Sequence, residues 1–438
     1  MNEAFYVTAK ELSKLGKDKI PDELISSRHL IYSSPAALAF NSPGAQGYGV
    51  KRAALAIPGS IMLLVSPGCC GRNTTVLGDE GGYGDRIFYL EMDDTDIVTG
   101  RHLTKIPQAV AEICLDFPTP PSVVMICITC VDALLGTDME RVCRSAQEAS
   151  GVPVRPCYMY ALTREGIKPP MAAVRESIYS MLEPAPKNRR AANILGFFSA
   201  LDKGCELYEL LASTGVTAVR ELGACRCFSE FQKMSEANFN LVLNSEARLA
   251  AVSMEKRLGI PFIELTRLYR PEKIALQYVL LGRALGVSFE DAKYRAKAEA
   301  ALSSLGADYN GARFSVGETL NANPFELSLT LVGAGFVCSE IFGTVTAAEF
   351  PYIKLLAELS PDTKIYSNLS PSMLFYEDDG CTELTIGKDA VYYHPTVPNL
   401  AWNGDNQPFG WQALRSLAEQ LRERLAMGVA EQIEGERL

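Results

Sequence analysis

An α/β protein of three parallel-sheet units is what this 438-residue sequence predicts, and three observations carry that expectation. Short apolar runs alternate with amphipathic stretches of helical period along most of the chain. The runs are nearly continuous rather than alternating, which suits strands covered by helices on both faces, the usual condition of a parallel sheet. Two polar breaks, PAPKNRR at 184–190 and GADYNGAR at 306–313, divide the rhythm into three.

In chain order, the apolar runs predict strands at 60–65 (SIMLLV), 87–91 (IFYLE), 122–128 (SVVMICI), 153–159 (PVRPCYM), 192–197 (ANILGF), 216–220 (VTAVR), 240–243 (NLVL), 261–264 (PFIE) and 312–316 (ARFSV). Helices are expected between them, at 104–116, 137–150, 171–183, 202–213, 245–257, 271–285, 289–304, 323–335 and 410–426. Thr137 with Glu140 reads as a capping-box start for the second of these. The boundaries that follow are an N-terminal extension over 1–34 and units at 35–188, 189–308 and 309–438, the last ending in a helix.

The chain is 47% hydrophobic and 21% charged, as expected of a packed globular protein. A net charge of −10 argues against nucleic acid or an anionic membrane as the main partner. The opening MNEAFYVTAKELSKLGKDK has no apolar leader core, and no apolar run reaches the roughly 18–20 residues of a membrane span, so a cytoplasmic location is expected.

Twelve cysteines in a chain of this kind are buried small side chains or ligands rather than a disulfide framework. Cys143 shares a helical stripe with Met139, Val142 and Ala146 and reads as core, as do Cys114 and Cys127. Cys157, Cys205, Cys338 and Cys381 stand alone in the sequence and read as structural. The remainder draw attention. Cys69 and Cys70 sit between Gly68 and Gly71 directly after the strand at 60–65, in a turn suited to a metal, a cluster, a phosphate or nothing at all. Cys130 follows the strand at 122–128. In open α/β sheets ligands lie outside the carboxyl ends of the strands, where these two loops would meet. The spacing is too wide for a zinc knuckle. An iron–sulfur cluster takes four thiolates, and a twofold dimer supplying the same pair twice would complete the count.

Cys225 and Cys227 form a C-x-C after another strand, with Arg226 between them placed to lower the thiol pKa values. His394 lies before a proline in the late aromatic segment YYHPTVPNLAWNGDNQPFGW. GDEGGYGD at 78–85 has no lysine and no following helix, so it is no phosphate cradle, and no Walker motif occurs.

The stretches SPGCCGRNTT, IFYLEMDDTDIVTGRHLTKIPQAVAEI and SVVMICITCVDALLGTDMERVCRSAQEASGVPV, in this order and spacing, resemble the nitrogenase component 1 family. That family takes in the molybdenum–iron protein subunits, their cofactor-assembly scaffolds and the nitrogenase-like reductases. The resemblance continues through AANILGFFSALDKGCELYELLASTGV, NFNLVLNSEARLAAVSMEKRLGIPFIEL and GARFSVGETLNANPFELSLTLVGAGF, covering roughly residues 35–425.

It implies three Rossmann-like units around a central cleft, pairing as a homodimer or as a heterodimer with a second subunit of the same type. It also implies an iron–sulfur cluster at the dimer interface and an ATP-hydrolysing iron protein as a separate electron donor. By position, Cys69 matches the family's Gly-Cys loop cysteine, with Cys70 the adjacent alternative, and Cys130 matches the family's cysteine after the next-but-one strand. The family's earliest cysteine falls near Asn41, Ser42, Pro43 and Gly44, where this chain has no thiol, so a single [4Fe-4S] cluster shared between two chains is expected. Asn244 stands where the molybdenum–iron cofactor thiol would be. Cys225, Cys227 and His394 are the candidates for contact with a further metallocofactor in the cleft. The resemblance thus implies a subunit of an ATP-dependent reductase that relays low-potential electrons to a substrate, or alternatively a non-catalytic scaffold on which a metallocofactor is assembled.

Overall fold

The computed structural model describes residues 3–25, 53–68, 84–117, 119–128, 135–158 and 170–435. They form two compact units. One is drawn from residues within 43–200 and 215–266, the other from within 1–42, 201–214 and 267–438.

The chain begins with strand β1 (Val7–Thr8) and the helix Ala9–Leu15. Thr8 and Glu11 exchange side-chain and backbone hydrogen bonds, a capping box that starts the helix at this point.

In the first of the two units, β2 (Ser60–Ser66), β3 (Ile87–Glu91), β4 (Val123–Ile128) and β5 (Val154–Tyr158) make a parallel sheet in the order β3-β2-β4-β5. Every residue of β2 is buried, because successive side chains enter different cores. Met62 and Leu64, with Met125, Cys127 and Cys157, pack beneath the helix Pro170–Tyr179. Ile61, Leu63 and Val65, with Val124, Ile126 and Ile128, pack against the helices His102–Asp116 and Met139–Ser150. Two-sided burial is the reason these strands carry no polar alternation. Cys143 is buried among Met139, Val142 and Ala146 as its stripe requires. The start of its helix differs from the expected Thr137–Glu140 box. Asp138 is the cap, its carboxylate accepting the Arg141 N–H at 3.0 Å, since aspartate one residue later reaches the free amides directly.

The second sheet of this unit, β6 (Asn188–Leu195), β7 (Ala218–Glu221), β8 (Ala237–Val242) and β9 (Phe262–Glu264), is again parallel, in the order β7-β6-β8-β9. Leu195, Val242, Phe231 and Met254 join the core that Met62 and Met125 enter from the first sheet.

The other unit carries β10 (Arg313–Val316), β11 (Val337–Phe342), β12 (Lys364–Tyr366), β13 (Leu384–Ile386) and β14 (Asn399–Leu400). With β1 the order is β1-β12-β11-β10-β13-β14, parallel except for β1. Residues 1–34, expected as an extension, therefore contribute an edge strand, with Val7 opposite Ile365 and with Ala9 and Leu12 fully buried.

Three parallel sheets match the expected fold class, but the expected boundaries move. The helices Pro271–Leu285 and Ala292–Asp308, assigned by sequence to a middle unit ending at 308, fall in the same compact unit as the third sheet, as does Leu207–Ser213. The reason is a buried carboxylate. Glu206 accepts the Trp411 and Gln412 N–H groups at 2.6 and 3.0 Å, at the start of the helix Gly410–Gly435, and the Tyr278 hydroxyl at 2.5 Å. Among the described residues no helix is long and apolar enough to cross a membrane.

Candidate functional site

In each sheet the first of the parallel strands in sequence lies inside the sheet, and the chain goes first to one side of it and then to the other. The carboxyl ends of the strands on either side of that reversal frame the crevice where parallel α/β sheets bind ligands. The three crevices differ in chemistry.

In the first sheet the reversal lies between β2 and β4, which are hydrogen-bonded neighbours with Val65 opposite Ile128. The exit of β2 is held against β3. The Ser66 carbonyl accepts the Tyr89 hydroxyl at 2.8 Å and the Met92 N–H at 3.0 Å. Cys69 and Cys70 follow this exit within four residues, and Cys130 follows Ile128 by two. All three cysteines lie outside the described residues, as do Asn41, Ser42, Pro43 and Gly44.

In the second sheet the reversal lies between β6 and β8, with Leu195 opposite Val242. Gly196 leaves β6 at φ +128°, and a Cβ there would stand 2.7 Å from the Asn244 nitrogen. Only glycine admits that approach at that angle. Asn244 is committed to its own turn, its side-chain oxygen accepting the Glu246 N–H at 3.0 Å. Beside it lies a cation that sequence reasoning missed. Arg175, with 4% of its side chain exposed, donates Nε and Nη2 to the Gly196 carbonyl at 3.0 and 2.7 Å and Nη1 to the Met171 carbonyl at 2.9 Å. Its Nη1 is also 2.8 Å from the Glu246 carboxylate, and its guanidinium lies 4.4 Å from the centre of the Phe198 ring. The signal was an arginine on the apolar helix stretch around Ala172, Val174 and Ile178.

The C-x-C does not behave as a strand pair. Residues Leu222–Ala224 form a 3-10 turn, so the two thiols do not share a strand face. Cys225 donates to the Glu221 carbonyl at 3.2 Å and packs against the core, where burial and then Glu230 raise its pKa to about 11. Cys227 is exposed. Its pKa is lowered, first by the Ser229 hydroxyl 3.1 Å away and then by the Glu230 N–H. Arg226, expected to act on the thiols, is instead held by Glu230, Nη2 to carboxylate at 2.7 Å.

In the third sheet the reversal lies between β10 and β13, with Val316 opposite Ile386. Here the crevice is acidic. Asp389 accepts the Glu318 and Thr319 N–H groups at 2.9 and 3.0 Å, and the Asn368 side-chain amide at 2.7 Å. The same Asn368 nitrogen reaches the Glu318 carboxylate at 3.2 Å. Glu318 also bonds the Thr344 N–H at 2.9 Å and its hydroxyl at 3.0 Å.

His394 is not in this crevice. It is fully buried against the middle of β11, Nε2 2.7 Å from Glu340 and 3.2 Å from the Tyr376 hydroxyl, Nδ1 3.0 Å from Asp378. Burial opposes its charge, but the two carboxylates outweigh it and raise the imidazole above its ordinary pKa. Both ring nitrogens face carboxylates, so in this arrangement His394 ties the segment after Tyr376 to the sheet. Cys157 is buried in the core opposite Cys127 across β4 and β5, as a structural cysteine should be, whereas Cys381 is exposed.

Among the described residues no group of three or more His, Cys, Asp or Glu side chains is arranged to hold a metal ion. Cys69, Cys70 and Cys130, which the sequence offers to an iron–sulfur cluster, lie outside that search. The described surroundings fit such a group. The strands leading to those cysteines are neighbours, and Val65 and Ile128 near their ends are buried and apolar.

A family model described as nitrogenase component 1 type oxidoreductase matches residues 45–317, more than half of the chain. Among curated proteins, the nitrogenase iron-molybdenum cofactor biosynthesis protein NifE of Klebsiella pneumoniae is 28% identical over 190 residues, 40% of this chain and 41% of that protein. The protein of the same name from Methanococcus maripaludis (strain DSM 14266) is 25% identical over 227 residues, 50% of this chain and 47% of its own. The chain thus spans less than half the length of these relatives. A solved structure titled "Nitrogenase Cp1 at pH 6.5" superposes with a TM-score of 0.68 at 17% identity, covering 88% of this chain and 92% of the other, a likeness of fold.

Proposed function

The chain belongs to the nitrogenase component 1 type oxidoreductases, and from that membership we propose that it is a subunit of an ATP-dependent reductase complex, relaying low-potential electrons from a separate iron protein to a substrate. The observation that supports this most is the pairing of β2 with β4, the two strands whose carboxyl ends lead to Cys69, Cys70 and Cys130. Cys69, with Cys70 as the adjacent alternative, and Cys130 would supply thiolates from this chain. The same pair from a partner subunit would complete a [4Fe-4S] site. When bound, such a cluster supplies single-electron storage at a potential set by its charge, hydrogen bonding and solvent exposure. The chain's own part is positional. Tyr89 and Met92 fix the exit of β2 through the Ser66 carbonyl, and Val65 and Ile128 are buried near the strand ends. Cys225 and His394 act structurally in this reading, and Cys227 presents an exposed thiol.

The test is anaerobic purification with iron analysis and electron paramagnetic resonance. About two irons per chain are expected for one four-iron cluster shared by two chains, and Cys130→Ala should lose most of them. Protein that stays iron-free after reconstitution would overturn the proposal.

A second reading, a scaffold for metallocofactor assembly, is favoured by the names of the NifE relatives and by Asn244, whose side chain caps a turn where a cofactor thiol would stand. Stoichiometric transfer of a cofactor to an acceptor protein, without turnover when an iron protein and reductant are supplied, would select it.

A further inference from the structure

Four tyrosines stand ring to ring in the unit of the third sheet, and one of them has a base for its proton. Between ring centres, Tyr6 lies 5.4 Å from Tyr366 of β12, Tyr366 lies 5.5 Å from Tyr376, and Tyr376 lies 5.0 Å from Tyr393. Tyr6 is 42% exposed and Tyr366 only 4%, so the row runs from solvent into the sheet. The Tyr376 hydroxyl lies 3.1 and 3.0 Å from the two oxygens of the buried Glu340 carboxylate, to which it donates. The Tyr393 hydroxyl donates instead to the Asn368 side-chain carbonyl at 2.7 Å, and an amide takes no proton at ordinary pH.

A phenol loses an electron readily only when its proton can leave with it, so a base already in place lowers the barrier. The charges along the row favour the same end. Glu340 and Asp378 flank His394, at 2.7 Å from Nε2 and 3.0 Å from Nδ1, and Nε2 is 3.2 Å from the Tyr376 hydroxyl. Two carboxylates against one imidazolium leave the Tyr376 end negative. At the Tyr6 end, Lys364 Nζ stands 5.6 Å from the ring centre and is balanced by Asp379 at 3.0 Å. An electron deficiency is stabilised by nearby negative charge, the more so at low dielectric, and it therefore settles on Tyr376.

We propose that Tyr376 is a redox-active tyrosine that passes its proton to Glu340 when oxidised, and that Tyr366 and Tyr6 connect it to solvent for the capture of oxygen-centred radicals. A peroxyl radical takes the hydrogen atom of the Tyr6 hydroxyl and becomes a hydroperoxide. One electron passes from Tyr376 through Tyr366 to Tyr6, which regains a proton from water. The Tyr376 proton moves to Glu340 Oε2, leaving a neutral phenoxyl radical beside a carboxylic acid. A reductant of the ascorbate class ends the cycle. It returns one electron by way of Tyr6 and releases its own proton to water, and Glu340 gives the held proton back to Tyr376. The proposal stands apart from the reductase reading, since no cluster or iron protein takes part in any step.

The test oxidises the full-length chain with photogenerated tris(bipyridine)ruthenium(III) and follows phenoxyl radicals by electron paramagnetic resonance and absorbance. Wild type should hold one radical that outlives those of its exposed tyrosines by about tenfold. Tyr376→Phe keeps the ring in the stack and removes the hydroxyl, and should leave only the short-lived radicals. Equal lifetimes in the two proteins, with circular dichroism unchanged, would overturn the redox role of Tyr376. Tyr366→Phe leaves Tyr376 and Glu340 in place and removes the carrier between them and Tyr6. It should slow the appearance of the long-lived radical about tenfold, and an unchanged rate would overturn the route through Tyr6. In heavy water the long-lived radical should form more slowly than in ordinary water, because its proton moves with the electron. Equal rates would overturn the transfer to Glu340.

Discussion

The carboxyl ends of the second and third sheets are closed by opposite charges. In the second, the loop after β6 turns its Gly196 carbonyl inward onto the buried Arg175 guanidinium. In the third, the loop after β10 turns the Glu318 and Thr319 N–H groups inward onto the Asp389 carboxylate. Both loops begin with glycine because both bring backbone to within contact of the closing group. A Cβ on Gly196 would meet the Asn244 nitrogen at 2.7 Å, and one on Gly317 the Asp389 carboxylate at 2.1 Å. The difference lies in what can titrate. An arginine stays charged at any ordinary pH, whereas burial pushes the Asp389 and Glu318 carboxyls up from their ordinary range. The comparison assigns a fixed electrostatic lock to the second sheet and a proton-sensitive one to the third.

The largest expected effect is on the fixed lock. Gly196→Ala forces a side chain onto backbone at a φ of +128°, and should cost about 5 kcal/mol or more in chemical denaturation. A cost under about 1 kcal/mol would mean that the loop after β6 is free to move. Arg175→Met should cost roughly 1–3 kcal/mol, because it leaves the Gly196 and Met171 carbonyls without their donor while Glu246 stays in solvent. That loss should hold steady between pH 5 and 8, and a loss that varied strongly with pH would break the contrast with the third sheet.

The unit of the third sheet holds another proton-sensitive carboxyl, Glu326, apart from the crevice pair. This buried side chain accepts the Tyr269 and Arg270 N–H groups at 2.9–3.1 Å, and burial raises its pKa to about 7. A carboxyl whose folded pKa exceeds its unfolded value stabilises the fold fully below about pH 4.5, and the contribution is lost as pH rises through about 7. Thermal melts of wild type should therefore lose about 3 kcal/mol relative to Glu326→Gln on going from pH 4.5 to 8. A constant difference would show that the amide bonds keep Glu326 ionised throughout. The smallest effect is at Cys227, where Cys227→Ser should shift stability by less than about 0.5 kcal/mol. In alkylation followed by mass spectrometry, wild-type Cys227 should be labelled well before Cys225 at pH 7, since one thiol is exposed with a lowered pKa and the other is packed and raised to about 11.

The strands of the first sheet were legible because two-sided burial leaves an unbroken apolar run, as in SIMLLV and SVVMICI. β11 was not, because VCSEIF carries Glu340 in its middle, a residue made tolerable by His394 and Tyr376 from far along the chain. β12 and β13 have three residues each, too few for a period to declare itself. The loops bearing Cys69 and Cys130 could be placed at strand ends by order alone. Arg175, Glu318 and Asp389 gave no pattern, since each acts on backbone groups that only the packed loops bring within reach.

By itself, then, the sequence determined the alternation of strands and helices, the three sheets and the thiols at the ends of two strands, all of which rest on local periodicity and order. Only the tertiary structure decided that residues 3–15 close the edge of the third sheet, that the helices after 270 belong with it, and which charge closes each crevice. The reason is physical. Burying a charge is tolerable only where partners converge on it, and convergence depends on contacts between residues tens to hundreds of positions apart, which no local window contains.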